Sequence, residues 1–181
     1  VLSTIKLYIQ AIRDNKNPEK SNAISNKAIN TVNEALQSVT EISNNISPHI
    51  LRNFGLIPAI KSFIMKVTNT GAVNIDLRTD IKSRFAENVE ITMYRVIVEL
   101  INNTLKHAHA GKITIKLKKR LNTLQLFYAD DGKGFDVKEK LSKKQGMGLF
   151  NMENRIKTLK GKLNINSAQN SGTKVLVELS I

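Results

Sequence analysis

The sequence predicts an α+β protein, with an N-terminal antiparallel helical hairpin followed by a two-layer α/β sandwich that has a mixed, mostly antiparallel sheet. Three observations carry that expectation. Apolar residues recur at three- and four-residue spacing as far as Ile46, interrupted by turn chemistry at Asp14-Asn15-Lys16-Asn17-Pro18. A second helical pattern, Val89 to Leu105, occupies the middle of the chain. Around it, the stretches Val73–Leu77, Ile113–Leu117, Leu124–Tyr128, Leu163–Ile165 and Val175–Leu179 alternate with the period of half-buried strands.

Taken in order, Leu2, Ile5, Ile9 and Ile12 predict a first helix that stops near Asp14. Ile24, Ala28, Val32, Ala35, Val39, Ile42 and Ile46 continue the spacing until Ser47-Pro48, where the proline disfavours helix at the residue before it. Two helices alone bury little surface, so pairing with a second copy in a four-helix bundle is the economical way to cover both stripes. A homodimer through the N-terminal helices is therefore expected, the alternative being a hairpin packed back on the rest of the chain. Ile60, Phe63, Ile64 and Val67 form a short helix closed by Thr70-Gly71. The main helix is expected from about Ala86 to Ala108, along the stripe Val89, Met93, Val96, Ile97, Leu100, Ile101 and Leu105. Leu121-Asn122-Thr123 turns one strand into its antiparallel neighbour. A helix carrying Leu149, Met152, Ile156 and Leu159 precedes two last strands joined through Gln169-Asn170-Ser171-Gly172.

A chain of 181 residues makes one or two small domains. No apolar run approaches the roughly 20 residues of a membrane span, and no signal peptide opens the chain. Cysteine is absent, which removes disulfides, thiolate zinc sites and cysteine nucleophiles and agrees with a reducing compartment. The net charge of +13 invites a nucleic-acid or anionic-membrane reading, but its lysines are scattered and few aromatics accompany them. The charge reads as solvated surface, with no direct nucleic-acid binding and a cytoplasmic location expected.

The stretch Glu99-Leu-Ile-Asn-Asn-Thr-Leu-Lys-His-Ala108 loads polar chemistry onto an apolar helix. Glu99, Asn103, Lys106 and His107 lie at i, i+4, i+7 and i+8, so an α-helix would bring them to one face. The set suits a metal-bound triphosphate: Asn103 offers a hard amide oxygen to Mg²⁺, Lys106 a charge for phosphate, and Glu99 a group to accept a proton or order a water. Taken alone it reads equally well as a core helix with a solvated face. Two further stretches tip the balance, Asp130-Asp131-Gly132-Lys133-Gly134-Phe135 after a strand and Gln145-Gly146-Met147-Gly148-Leu149 before a helix.

In this order the three stretches resemble the N, G1 and G2 boxes of the GHKL ATPase superfamily, specifically the ATP-binding domain of two-component sensor histidine kinases. The resemblance implies the Bergerat fold for the sandwich and ATP with Mg²⁺ as its ligands. It assigns ATP contacts to Asn103, Lys106, His107, Asp130, Gly132, Gly134, Gly146, Gly148, Leu149 and Thr173, with Asn103 on the metal and Glu99 as the catalytic candidate. Asp130 would accept a hydrogen bond from the adenine amine, where guanine presents an oxygen instead. Gly146 and Gly148 precede a helix whose first amides and dipole favour phosphate. The lysine-rich segment from Asp136 to Gln145 reads as a lid over the nucleotide.

Ser3-Thr-Ile-Lys-Leu-Tyr8 and Ile42-Ser-Asn-Asn-Ile-Ser-Pro48, with Leu51 and Gly55-Leu56, further resemble the dimerisation and phosphotransfer hairpin of kinases whose partners are LuxR-type response regulators. In that subgroup a His-Asp pair carries the phosphate, two or three helical turns before the part corresponding to Ser3. The histidines here are His49, His107 and His109, and none is followed by an acidic residue. His49 is expected as an exposed connector residue beyond the helix-breaking Pro48. The expected organisation is residues 1–50 as a partial hairpin lacking the acceptor and 51–181 as the ATP-binding domain. The chain is then a fragment of a longer kinase that meets the membrane only through other parts. Two other readings are a relative that drives conformational change on DNA, disfavoured by the short length, and a degenerate nucleotide-binding interaction module.

Overall fold

The computed structural model describes residues 2–14, 17, 20–32, 48–69, 71–137 and 147–181. They fall into two compact units, Val1–Ser47 and Pro48–Ile181. Among the described residues no helix is long and apolar enough to cross a membrane.

The first unit holds α1 (Leu2–Asp14) and α2 (residues 20–32). Ser21 Oγ donates to the Ile12 carbonyl across the turn at 3.5 Å, and Ala28 is buried. Leu7, Ile9, Ile29 and Val32 are left exposed. The expected continuation of α2 to Ile46, including Ala35, Val39 and Ile42, lies outside the described residues.

The second unit runs α3 (Pro48–Phe54), α4 (Leu56–Thr68), β1 (Asn74–Thr79), α5 (Glu87–Asn103), a π-helical turn (Thr104–Ala108), β2 (Lys112–Arg120), β3 (Thr123–Asp130), α6 (Met147–Thr158), β4 (Lys162–Ser167) and β5 (Thr173–Ser180). The sheet has the order β1-β2-β3-β5-β4. β1 and β2 pair in parallel because α5 carries the chain back between them, and every other pair is antiparallel. In β3 the residues Leu124, Leu126, Tyr128 and Asp130 are buried, and in β5 Thr173, Val175, Val177 and Leu179 are. That alternation turns one sheet face onto the helices, giving the expected two-layer sandwich with one core.

The α5 stripe from Val89 to Ile101 is buried as its spacing predicts. Buried Tyr94 and Val98 widen it, because α5 packs on α3 and α4 as well as on the sheet. Its start is fixed by Glu90, only 1% exposed, whose carboxylate accepts from Arg84 Nε at 2.9 Å and Arg84 Nη2 at 2.8 Å. Arg84 also donates to the Leu51 and Arg52 carbonyls, tying α3 to the start of α5.

Two expectations need correction. The main helix is α-helical only to Asn103; from Thr104 its turn widens to i→i+5 bonding, which shifts the helical phase beyond that point and leaves Leu105 at 37% exposure, outside the core stripe. His49 is exposed, as expected, but it sits inside helix α3. Pro48 takes the first helical position, where a missing N–H costs nothing, and so begins a helix instead of ending the chain's helical run.

Candidate nucleotide site

Asp130 ends the central strand β3, opposite Ile113 of β2 and Thr173 of β5. The strand period points its carboxylate inward, so it is 9% exposed and must be hydrogen-bonded. Its Oδ1 accepts the Gly132 N–H at 3.0 Å and the Thr173 N–H at 3.2 Å, and its Oδ2 accepts the Thr104 hydroxyl at 2.9 Å. A carboxylate has about four lone-pair sites, so three donors leave one for a ligand.

Behind Thr104 stands Tyr128, with the two hydroxyl oxygens 2.6 Å apart, and Tyr128 donates to the Leu100 carbonyl at 3.2 Å. Because the Thr104 proton is committed to Asp130, the short contact is supplied by the tyrosine proton, shared with Leu100. Burial pushes the Tyr128 phenol well above tyrosine's ordinary value near 10, and the Asp130 charge adds to that shift. The raised value means that the unfolded chain loses this proton first. Stability is thus retained below about pH 10 and falls as pH rises above it. Tyr128→Phe is expected to remove that alkaline loss and to cost about 1–2 kcal/mol at neutral pH, read by urea unfolding against pH.

The glycines bring the three boxes together. A Cβ on Gly132 would lie 2.5 Å from Ala108 Cβ and 2.6 Å from its carbonyl oxygen, so the loop after Asp130 packs directly on the π-helical turn. Lys133 N–H donates to the same carbonyl at 2.9 Å. Gly134 is in the left-handed region at φ +60 and abuts Ala168 and Gly172. Ser167 Oγ accepts from Phe135 N–H at 3.0 Å and donates to the Gly172 carbonyl at 2.8 Å, which ties this loop to the β4–β5 turn. Gly148, at the start of α6, abuts Glu99 Oε1, and Asn103 Nδ2 is 3.7 Å from where its Cβ would be. Asn103 Nδ2 donates to Glu99 Oε1 at 3.2 Å, so the amide oxygen Oδ1 is the atom turned to other partners.

The sequence-predicted residues therefore gather in two groups, Asp130 with Gly132, Gly134 and Thr173, and Glu99 with Asn103 and Gly148. Leu149 is half-buried and packs on the core beside Met152. Gly146 and most of the expected lid lie outside the described residues. Lys106 and His107 are exposed on the π-helical turn, whose larger number of residues per turn breaks the single α-helical face expected for them with Glu99 and Asn103. Sequence reasoning misses Thr104, Tyr128 and Ser167. Each carries a readable signal: a hydroxyl at an inward position of an otherwise apolar helix or strand.

The family model described as histidine kinase-, DNA gyrase B-, and HSP90-like ATPase matches residues 88–181. The histidine-protein kinase/phosphatase DegS of Brevibacillus brevis is 32% identical over 151 residues, 83% of this chain and 39% of that protein. The sensor histidine kinase ComP of Bacillus subtilis is 27% identical over 154 residues, 83% of this chain and 20% of that protein. The chain thus spans two fifths or less of the length of these relatives. Among solved structures, the histidine kinase domain of the blue-light activated kinase EL346 from Erythrobacter litoralis matches with TM-score 0.63 at 14% identity, over 99% of this chain and 95% of that one. The Acinetobacter baumannii histidine kinase AdeS matches with TM-score 0.62 at 20% identity, over 99% and 94%. These two show the fold. With its boxes in order on that fold and the family model across the same residues, the chain belongs to the histidine kinase-, DNA gyrase B- and HSP90-like ATPases, as a GHKL domain of the histidine kinase kind.

Proposed function

We propose that this chain binds Mg-ATP and donates its γ-phosphate to a histidine on a dimerisation hairpin, from which a response regulator with a LuxR-type DNA-binding domain takes it. The observation that carries the reading is the Asp130 carboxylate, buried, held by three donors and keeping one lone pair for an adenine N–H. Thr173, Gly132 and Gly134 shape that end of the site. Glu99, Asn103 and Gly148 form the phosphate end, the stretch carrying Gly146 and Leu149 supplies backbone amides to it, and Lys106 and His107, off the α-helical face on the π-helical turn, offer their charge to the phosphates from the exposed side. The chain's part in transfer is positioning and charge neutralisation, which suffices for a loose phosphoryl transition state.

Asn103 suits Mg²⁺, because its N–H is committed to Glu99 and its free oxygen is a hard donor. With ATP bound, phosphate oxygens and water would supply further ligands to the ion. The ion would neutralise developing phosphate charge. Asn103→Ala is expected to weaken Mg-ATP about tenfold or more while leaving adenosine within about twofold, as calorimetry with each ligand would show. Equal losses would place Asn103 away from the metal.

Residues 1–50 are proposed as a partial dimerisation hairpin, supported by Leu7, Ile9, Ile29 and Val32 standing exposed on one copy. Residues 51–181 are the catalytic part, working in the cytoplasm. None of the three histidines suits the acceptor role: His49 sets its ring against Asn53 in a short helix, and His107 and His109 end the nucleotide helix itself. Incubation with γ-labelled ATP and a separately supplied acceptor hairpin tests the whole reading. Acid-labile label on the added hairpin is expected; stoichiometric label on His49 would refute the acceptor assignment, and ATP binding with no transfer would leave an interaction module.

A further inference from the structure

The outward face of the five-stranded sheet sorts its residues by charge. Across the register, Lys116 of β2 lies beside Phe127 of β3, Phe127 beside Leu176 of β5, and Leu176 beside Asn164 of β4. Leu176 is 40% exposed, and the Lys116 ammonium stands 5.5 Å from the centre of the Phe127 ring. The middle of this face is therefore a small apolar patch on β3 and β5 made of Phe127, Leu176 and Ala129. Its borders are cationic. Lys112, Lys118 and Arg120 continue the outward row of β2, Lys174 on β5 stands beside Ala129 at one end of the patch, and Lys162 lies on β4, and all five are exposed. The carboxylates on the same face are already engaged: Asp76 pairs with Arg78 at 2.7 Å, and Gln125 donates to Glu178 at 2.8 Å. Part of the charge that looks scattered along the sequence thus lies on this face around an apolar centre.

We propose that this face docks an acidic amphipathic helix of a protein partner. An apolar centre inside a charged rim is the anatomy of a protein interface. A helix about 10 Å across spans two strands spaced about 4.8 Å apart, so it would cover β3 and β5 and send its flanking side chains to β2 on one side and β4 on the other. Because β2 holds the denser row of cations, the acidic flank of the helix faces β2. A nucleic acid fits less well, since the one aromatic ring of the patch already carries Lys116 and leaves no stacking platform. A membrane fits less well too, because Phe127 and Leu176 lie within the sheet and not on protruding loops. The face measures roughly 450 Å² from strand spacing and rise. That is below the roughly 800 Å² per partner of a standard interface, so the association is weak, transient and steered by charge.

The test titrates the whole chain into a labelled helical peptide of about 18 residues with a leucine stripe flanked by glutamates, following binding by anisotropy and the contact surface by amide chemical shifts. Binding is expected to perturb the amides around Phe127 and Leu176. Raising salt from about 0.05 to 0.5 M should weaken it about tenfold or more. Lys116→Glu with Lys118→Glu should weaken it by about as much, at an unchanged thermal midpoint, and the corresponding glutamines by less. Leu176→Ser should weaken it severalfold without altering the salt dependence. Shifts elsewhere on the molecule, or binding indifferent to charge reversal, would overturn the proposal. So would tighter binding to oligothymidylate, which would make the face a nucleic-acid surface, or to phosphatidylglycerol vesicles, which would make it a membrane surface.

Discussion

Asp130→Asn is expected to lower ATP affinity roughly 5- to 150-fold, the equivalent of about 1–3 kcal/mol, while the protein stays folded. The fold survives because the hydroxyl chain behind the residue can reverse. The asparagine oxygen can keep the bonds from the Gly132 and Thr173 amides, and its NH₂ then takes the place of Oδ2. Thr104 would accept from that NH₂ in place of donating to it, and Tyr128 still reaches the Leu100 carbonyl. What cannot be recovered is the fourth lone pair. A donor now faces the adenine amine, which is itself a donor. Calorimetry on the variant, beside its unfolding midpoint, separates this loss from a general loss of structure. Unchanged ATP affinity would remove Asp130 from the site.

Gly134→Ala is expected to have the largest effect on stability, about 2–4 kcal/mol or roughly 5–15 °C in thermal midpoint. Its φ of +60 penalises any side chain, and the added Cβ would run into the Ala168 carbonyl oxygen and lie 2.8 Å from that of Gly172. Backbone atoms on two sides cannot step aside without moving the β4–β5 turn, and that turn places the Thr173 N–H on Asp130. ATP affinity should therefore fall at temperatures where the variant is still folded. Gly71 provides the contrast, with φ +70 but nothing within 4 Å of an added Cβ. Gly71→Ala is expected to cost about 1 kcal/mol and leave nucleotide affinity alone. Equal effects at the two positions would show that backbone conformation, and not the close approach at Gly134, limits substitution.

The sheet and the main helix are legible in the sequence because one face of each is buried, and burial imposes a period: Leu124, Leu126 and Tyr128 on β3, or Met93, Ile97 and Ile101 on α5. The same logic holds the overlooked part of the site. Thr104 continues the helix stripe and Tyr128 and Asp130 continue the strand stripe, so three polar groups end apolar rows at one place and must satisfy each other. Read as stripes, those positions are apolar patterns with exceptions at their ends; read as chemistry, the exceptions are a network. The π-helical turn is not legible, since nothing in Thr104-Leu105-Lys106-His107-Ala108 signals i→i+5 bonding. Its cause is tertiary: Ala108 must meet Gly132, and the turn must pass Thr104 over Asp130. The extended α-helical face expected for Lys106 and His107 fails for that reason. The role of Pro48 is ambiguous in sequence because proline stops a helix at the residue before it yet suits the first position of the next one.

The central claim is that a buried carboxylate with one lone pair to spare reads the adenine amine. Calorimetric titration of the unaltered chain with ATP, GTP and purine riboside triphosphate, each with Mg²⁺, tests it most directly. ATP should bind, and the analogue lacking the amine should bind about tenfold or more weakly, because Asp130 would be left facing a ligand that offers it no donor. GTP, which presents an oxygen to the carboxylate, should bind more weakly still. Equal affinity for all three would contradict the account.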